Sequence, residues 1–229
     1  MTSAGPQPRT FHGRRKGKAL RPGQARLLDT LLPQLAIDVA RPLADPKLLF
    51  PRPVRAVRLE IGFGGGEHLV AEAARHPGLG FLGCEPFVNG LAKTLHLIEA
   101  SGLANVRLHP GEVGPLIDAL PQACLCEVDL LYPDPWPKRR QRKRRLVSDA
   151  MLGRLARVME PGAELRFATD IDDYAGWTLA RILRSPDFEW AAQRASDWLL
   201  PWPGWTGTRY EAKAKGEGRA AVYLTFRRR

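Results

Sequence analysis

Between residues 54 and 185 the chain alternates short runs rich in Val, Leu and Ile with longer stretches of helical periodicity, one of each at a time. VRAVRLEIG (54–62), LGFLGCE (79–85), NVRLH (105–109), CEVDLLYP (126–133) and PGAELRFATD (161–170) have the length and composition of strands. EHLVAEAARH (67–76), FVNGLAKTLHLIEASG (87–102, closed by Gly102), a weak PLIDAL (115–120), RLVSDAMLGRLARVM (145–159) and YAGWTLARILRS (174–185) read as helices. Strands separated by single helices need crossover connections. The pattern therefore predicts an α/β fold, with a mostly parallel, doubly wound sheet and helices on both faces. QARLLDTLLPQLAI (24–37) predicts a covering helix, and TRYEAKAKGEGRAAVYLTFRR (208–228) an antiparallel C-terminal hairpin turned by its glycines. Residues 1–22, rich in Pro, Gly and Arg, read as a mobile basic arm, and 23–229 as one domain.

In such a sheet ligands sit at the carboxyl ends of the strands, which is where the informative residues fall. The first strand ends in LEIGFGGGEH, with Glu60, Gly62, Gly64 and Gly66. Glycines let the backbone pass close to a ligand. The position where a dinucleotide fingerprint needs its third glycine holds Glu67, which repels a pyrophosphate. The acid before the loop suits a cationic, hydroxyl-rich ligand without phosphate, and S-adenosylmethionine meets that description. Glu85, 19 residues after Gly66, is placed to accept hydrogen bonds from ribose hydroxyls. Glu112 in HPGEVG either faces the adenine amine or caps a helix. Asp134, between Pro133 and Pro135, has little backbone freedom, and a rigid exposed carboxylate implies a use. Asp170 closes the same sheet edge, while Trp136 either caps the pocket or packs.

Net charge is +11, and its location matters more than its size. Residues 1–26, 138–145 and 227–229 hold 17 of the 35 Lys and Arg and no acid, leaving 18 bases against all 24 acids elsewhere. Positive charge focused in this way attracts polyanions, which points to nucleic acid as partner. No run of 18 apolar residues exists to cross a membrane. Three cysteines (Cys84, Cys124, Cys126) fit a reducing, cytoplasmic compartment, and a lone C-x-C pair does not complete a zinc site, so no metal is expected.

LEIGFGGG, GCEP, LYPDPWPKRRQRKRR, FATD and TRYE together resemble the motifs of bacterial tRNA (guanine-N7)-methyltransferases, from about residue 55 to the end, with a looser echo in RTFHGRRKGKALRPGQ. The resemblance implies a class I methyltransferase fold, S-adenosylmethionine as cofactor and the variable-loop guanine of tRNA as substrate. It implies that Glu60, Gly62, Gly64, Glu85, Glu112 and Asp134 line the cofactor site, with Asp134 catalytic. That family commonly carries Asp where Glu112 stands, and its arm differs in length. Lys138, Asp170, Thr208, Arg209, Tyr210 and Glu211 would meet the guanosine. Arg139, Arg140, Arg142, Lys143, Arg144 and Arg145 would grip the RNA backbone. Trp202 or Trp205 either stacks on a base or packs on the domain. A methyltransferase for another RNA or a small molecule, and a non-catalytic RNA-binding protein, are the competing readings. Monomer and homodimer are equally compatible with the sequence.

Overall fold

The computed structural model describes residue 13 and residues 15–229; the rest of the expected arm, residues 1–12 and 14, lies outside the described residues. Among the described residues the chain runs α1 (Pro22–Thr30), α2 (Leu32–Leu35), β1 (Ala56–Ile61), α3 (Glu67–Arg75), β2 (Leu79–Cys84), α4 (Val88–Ser101), β3 (Val106–His109), α5 (Val113–Ala119) and β4 (Leu125–Leu131). A 3-10 turn (Arg139–Arg144) follows. Then come α6 (Asp149–Val158), β5 (Met159–Thr169), α7 (Asp172–Ile182), β6 (Phe188–Trp190), α8 (Ser196–Leu199), α9 (Arg209–Gly216) and β7 (Val222–Arg228). The strands form one sheet in the order β3-β2-β1-β4-β5-β7-β6. Pairings from β3 to β5 are parallel, and β7 runs antiparallel to both β5 and β6. The chain leaves β1 toward β2 and β3, then returns to β4. Its topological reversal, where such sheets bind ligands, thus lies between the ends of β1 and β4.

The two sheet faces differ. On one, Val57, Leu59, Ile61, Val128, Leu130, Leu165, Phe167, Leu224 and Phe226 join α5, α6 and α7 in a continuous apolar core. On the other, α1, α3 and α4 cover Phe81 and Val106 at one end, and the Trp202–Trp205 loop covers Leu131, Ala168 and Tyr223 at the other.

Three sequence expectations change. The helix expected over 24–37 is two short ones, α1 and α2, with Pro33 at the start of the second. The helix expected from residue 145 begins at Asp149, where the Ser148 hydroxyl accepts the Met151 N–H at 3.3 Å. No hairpin forms over 208–228: residues 209–216 are α9, and β7 pairs instead with β5 and the short β6. Thr208 caps α9 by accepting the Glu211 N–H at 3.1 Å, and Lys215 pairs with Glu211 one turn away. The alternating Tyr-Glu-Ala-Lys-Ala-Lys pattern imitates a strand. The T-x-x-E spacing of a helix start is the signal that outweighs it.

Candidate active site

The loop after β1 is shaped by close approach. Gly64 and Gly66 have φ of +57° and +78°, a region that other residues enter only at a cost. A Cβ on Gly66 would lie 2.3 Å from Thr94 Oγ1, and one on Gly90 would lie 2.3 Å from the Gly64 carbonyl oxygen. Helix α4 therefore packs directly against the loop. Glu85, at the end of β2 and buried, accepts the Gly64 N–H (2.8 Å) on one oxygen and the Phe87 N–H (2.9 Å) on the other. Burial pushes its carboxyl up, the two N–H groups pull it back, and the charges of Asp134 and Arg209 act on it in opposite directions. Each oxygen keeps acceptor capacity beyond its single N–H, as a ribose diol needs. A glycine-lined backbone cradle with a buried acid at its lip fits the hydroxyl-rich nucleoside of S-adenosylmethionine. Glu112 occupies the first position before α5, makes no capping bond, and instead accepts from Arg15 at 3.3 Å.

The corner after β4 is strained. Tyr132 and Trp136 have φ of +50° and +42°, and each precedes a proline, so two left-handed residues bracket Pro133–Asp134–Pro135. Such conformations cost roughly 1–3 kcal/mol each and persist only where the surroundings enforce them. Asp134 is exposed at the tip, with partial burial raising its carboxyl.

The basic run behind this corner does not behave as one unit. Lys138, Arg139, Arg140 and Lys143 are exposed, as a phosphate grip requires. Arg144 lies over the Trp136 ring at 4.9 Å. Arg142 pairs with Asp173 at 2.6 Å. Arg145 corrects the sequence reading outright: its side chain is 0% exposed, so it cannot reach an RNA phosphate. Its charge is taken up inside the protein by Asp173 and two aromatic rings.

Across the crevice, Thr208 is the α9 cap, and Arg209 and Tyr210 lie against the glycine loop. A Cβ on Gly64 would meet Arg209 Nη2 at 3.1 Å and the Tyr210 ring at 3.4 Å. The TRYE motif thus lies directly over the loop that begins the fold. Glu211 does not face the crevice. It is 2% exposed and accepts from Tyr223 Oη (2.8 Å), Trp205 Nε1 and Lys215. Its oxygens are thus engaged by three donors of this chain instead of facing guanosine. Trp202 likewise spends its N–H on Thr225 at 2.8 Å, and both tryptophans pack with Tyr223. Asp170, at the end of β5, accepts from Arg219 at 2.6 Å.

Glu60, expected at the cofactor site, joins a buried charged group whose other members pattern reading missed. Glu60 is buried and bonded to His68 Nδ1 at 2.8 Å. Beside it Arg58 bridges Glu72 (2.9 Å), Asp129 (3.2 Å) and Glu127, and Arg166 reaches Glu127 at 3.0 Å. Burial pushes the Glu60 carboxyl up against the pull of His68. For His68, burial alone would lower the pKa, but Glu60, Asp129 and Glu72 together outweigh it and hold the imidazole at about 9. The pair therefore retains a proton through the neutral range. Among the described residues no cluster of three or more His, Cys, Asp or Glu side chains is arranged to hold a metal ion.

The structure thus brings Gly64, Glu85, Asp134, Arg209 and Tyr210 to one crevice at the reversal of the sheet, while Glu60, Arg145 and Glu211 are buried. A seven-stranded sheet with an antiparallel β7, carrying an acid-lipped glycine cradle there, is that of the class I S-adenosylmethionine-dependent methyltransferases. Solved structures agree on the fold. The 16S rRNA methyltransferase KamB superposes with a TM-score of 0.57 at 19% identity, covering 76% of this chain and 88% of that one. A putative methyltransferase from Streptococcus mutans, solved in complex with SAH, superposes at 0.51 and 11% identity, covering 77% and 90%. A family model described as a putative methyltransferase matches residues 54–224. The tRNA (guanine-N(7)-)-methyltransferase of Rhodopseudomonas palustris (strain BisB5) is 56% identical over 96% of this chain and 86% of its own length. That of Rhizobium meliloti (strain 1021) is 54% identical over 95% and 94%. The chain belongs to the tRNA (guanine-N(7)-)-methyltransferase family.

Proposed function

We infer that this chain transfers the methyl group of S-adenosylmethionine to N7 of guanine in tRNA, the reaction its family is named for, and we propose the variable-loop guanine as the target. One observation carries the reading. Arg209 and Tyr210, from the motif expected to meet the base, pack against Gly64 of the cofactor loop, beside a Glu85 that feels both Asp134 and Arg209.

Guanine N7 has an in-plane lone pair and no proton at neutral pH, so no general base is needed. S-adenosylmethionine, when bound, supplies an electrophilic methyl on a sulfonium. The residues of this chain then have three tasks. Glu85 and the glycine loop hold the nucleoside half of the cofactor. Arg209, Tyr210 and Lys138 orient the base. Asp134 sets its carboxylate where positive charge develops on the ring as the N7–carbon bond forms. Alignment of this kind supplies on the order of 7–11 kcal/mol of barrier reduction. The exposed Lys138, Arg139, Arg140 and Lys143 anchor the RNA backbone without reading sequence. Three cysteines, all free, suit a cytoplasmic enzyme.

The deciding experiment is incubation with labelled S-adenosylmethionine and unmodified tRNA, followed by mapping of the methylated base. Label at N7 of the variable-loop guanine is expected; folded protein that yields no label, or label elsewhere, overturns the assignment. Asp134→Ala is expected to abolish transfer while leaving tRNA affinity within about threefold. Turnover near wild type would remove Asp134 from the chemistry.

A further inference from the structure

The basic run behind the corner ends in an arginine that faces inward, and its contacts converge on the segment that carries Asp134. Arg145 Nε donates to the Pro135 carbonyl at 2.7 Å, one residue from Asp134. Its Nη1 donates to the Asp173 carbonyl at 3.2 Å, and its Nη2 pairs with the Asp173 carboxylate. The guanidinium lies 4.7 Å from the Tyr174 ring centroid and 5.1 Å from that of Trp177. All three residues stand in the first turns of α7, which also holds the next stretch of chain through Trp177 Nε1 to the Val147 carbonyl at 2.9 Å. Arg145 therefore ties the strained corner, between left-handed Tyr132 and Trp136, to a helix anchored in the apolar core. Prolines stiffen the corner from within, but nothing in a proline sets where the whole corner points. A planar fork bonded to both the corner and α7 does.

We propose that Arg145 and Asp173 form a positioning clasp that aims Asp134, and that Arg145, unlike its exposed neighbours, contributes nothing to tRNA anchoring. This rests on Asp134 having the role given above. A phosphate role and a clasp role make opposite predictions for Asp173→Asn, because that change removes a carboxylate that holds Arg142 and Arg145. If the run acts only on RNA, releasing two arginines tightens tRNA binding, steepens its salt dependence and leaves turnover unchanged. If the clasp aims Asp134, the single-turnover rate at saturating cofactor and tRNA falls roughly 10-fold to 100-fold, the scale of a small misalignment, with tRNA affinity no weaker.

Asp173 is 43% exposed, so Asn is expected to fold. Arg145→Lys, which keeps the charge and loses the fork, is measured beside it, and Asp173→Glu tests rescue. Loss of rate in Asp173→Asn and Arg145→Lys, with recovery in Asp173→Glu and unchanged melting temperatures, supports the clasp. Wild-type rate in Asp173→Asn, or a rate loss that merely tracks a lowered melting temperature, overturns it. Asp134→Ala in the same assay separates the two claims. If that variant is inactive while Asp173→Asn is normal, the clasp alone fails. If it is active, Asp134 has no chemistry to be aimed at and both fail.

Discussion

Gly90→Ala isolates how the fold builds the cofactor cradle, because two effects of the same methyl group oppose each other. In an open helix Ala is favoured over Gly by about 1 kcal/mol, so the substitution ought to stabilise α4. Here the added Cβ would lie 2.3 Å from the Gly64 carbonyl oxygen, whereas ordinary contact begins at 3.4 Å, so the loop must withdraw by about 1 Å. The obstructing atom is backbone and cannot rotate away. The same Cβ would only touch Glu85 Cγ, at 3.4 Å, so the clash is with the loop. A shift of that size breaks the 2.8 Å bond from Gly64 N–H to Glu85. A hydrogen bond to a charged group is worth about 1.5–3 kcal/mol, and overpacking costs about 1–3 kcal/mol, so together they exceed the propensity gain. We expect S-adenosylmethionine to bind roughly 10- to 100-fold more weakly, with an equal or lower melting temperature. Isothermal titration with the cofactor and a thermal melt suffice. A melting temperature raised by several degrees with cofactor affinity within about twofold of wild type would show that loop and helix are not in register as described.

Two other outcomes follow from the same geometry. Alanine at Arg139, Arg140 or Lys143 should each lower the slope of log K against log salt for tRNA binding by about one and weaken binding without changing which base is modified; an unaltered slope in all three would remove the phosphate grip. The buried His68–Glu60 pair makes folding stability depend on pH. His68 is held at about 9 against 6.5 unfolded, so its contribution is complete below 6.5 and is lost as pH rises through 9. Urea unfolding should therefore show a fall of a few kcal/mol (about 3 at most) across that window, absent in His68→Gln. Parallel pH curves for the two proteins would mean that the pair holds no extra proton.

The sheet was legible because crossovers leave a periodic trace: each strand from 54 to 170 lies within a few residues of its expected place. The short β6 was not, since Phe188–Trp190 is too brief for periodicity and exists only by pairing with β7. Glycine spacing located the cradle, but Gly90 reads as an ordinary weak point in a helix, because its necessity comes from a carbonyl on another element. Charge was the most deceptive signal. Seven bases in eight residues look alike in sequence, and only the meeting with α7 separates Arg145 from Arg140.

Glu60 and Glu211 show the same limit from the acidic side. Both stand in motifs at the crevice, and both are bonded within the protein by donors 6 to 12 residues away: His68 for one, Trp205 and Tyr223 for the other. Trp205 joins the two, since its N–H reaches Glu211 and its ring lies 5.0 Å from that of His68. Half-buried Trp205 thus bonds the acid ending the substrate motif and packs on the partner of the acid before the cofactor loop. Buried carboxylates are expensive unless fully bonded. His68 bonds Glu60, while Trp205, Tyr223 and Lys215 bond Glu211, so the ring contact between Trp205 and His68 couples the loop to the motif. Whatever contact either acid makes with a ligand, its internal bonds also help hold the two halves of the crevice in register.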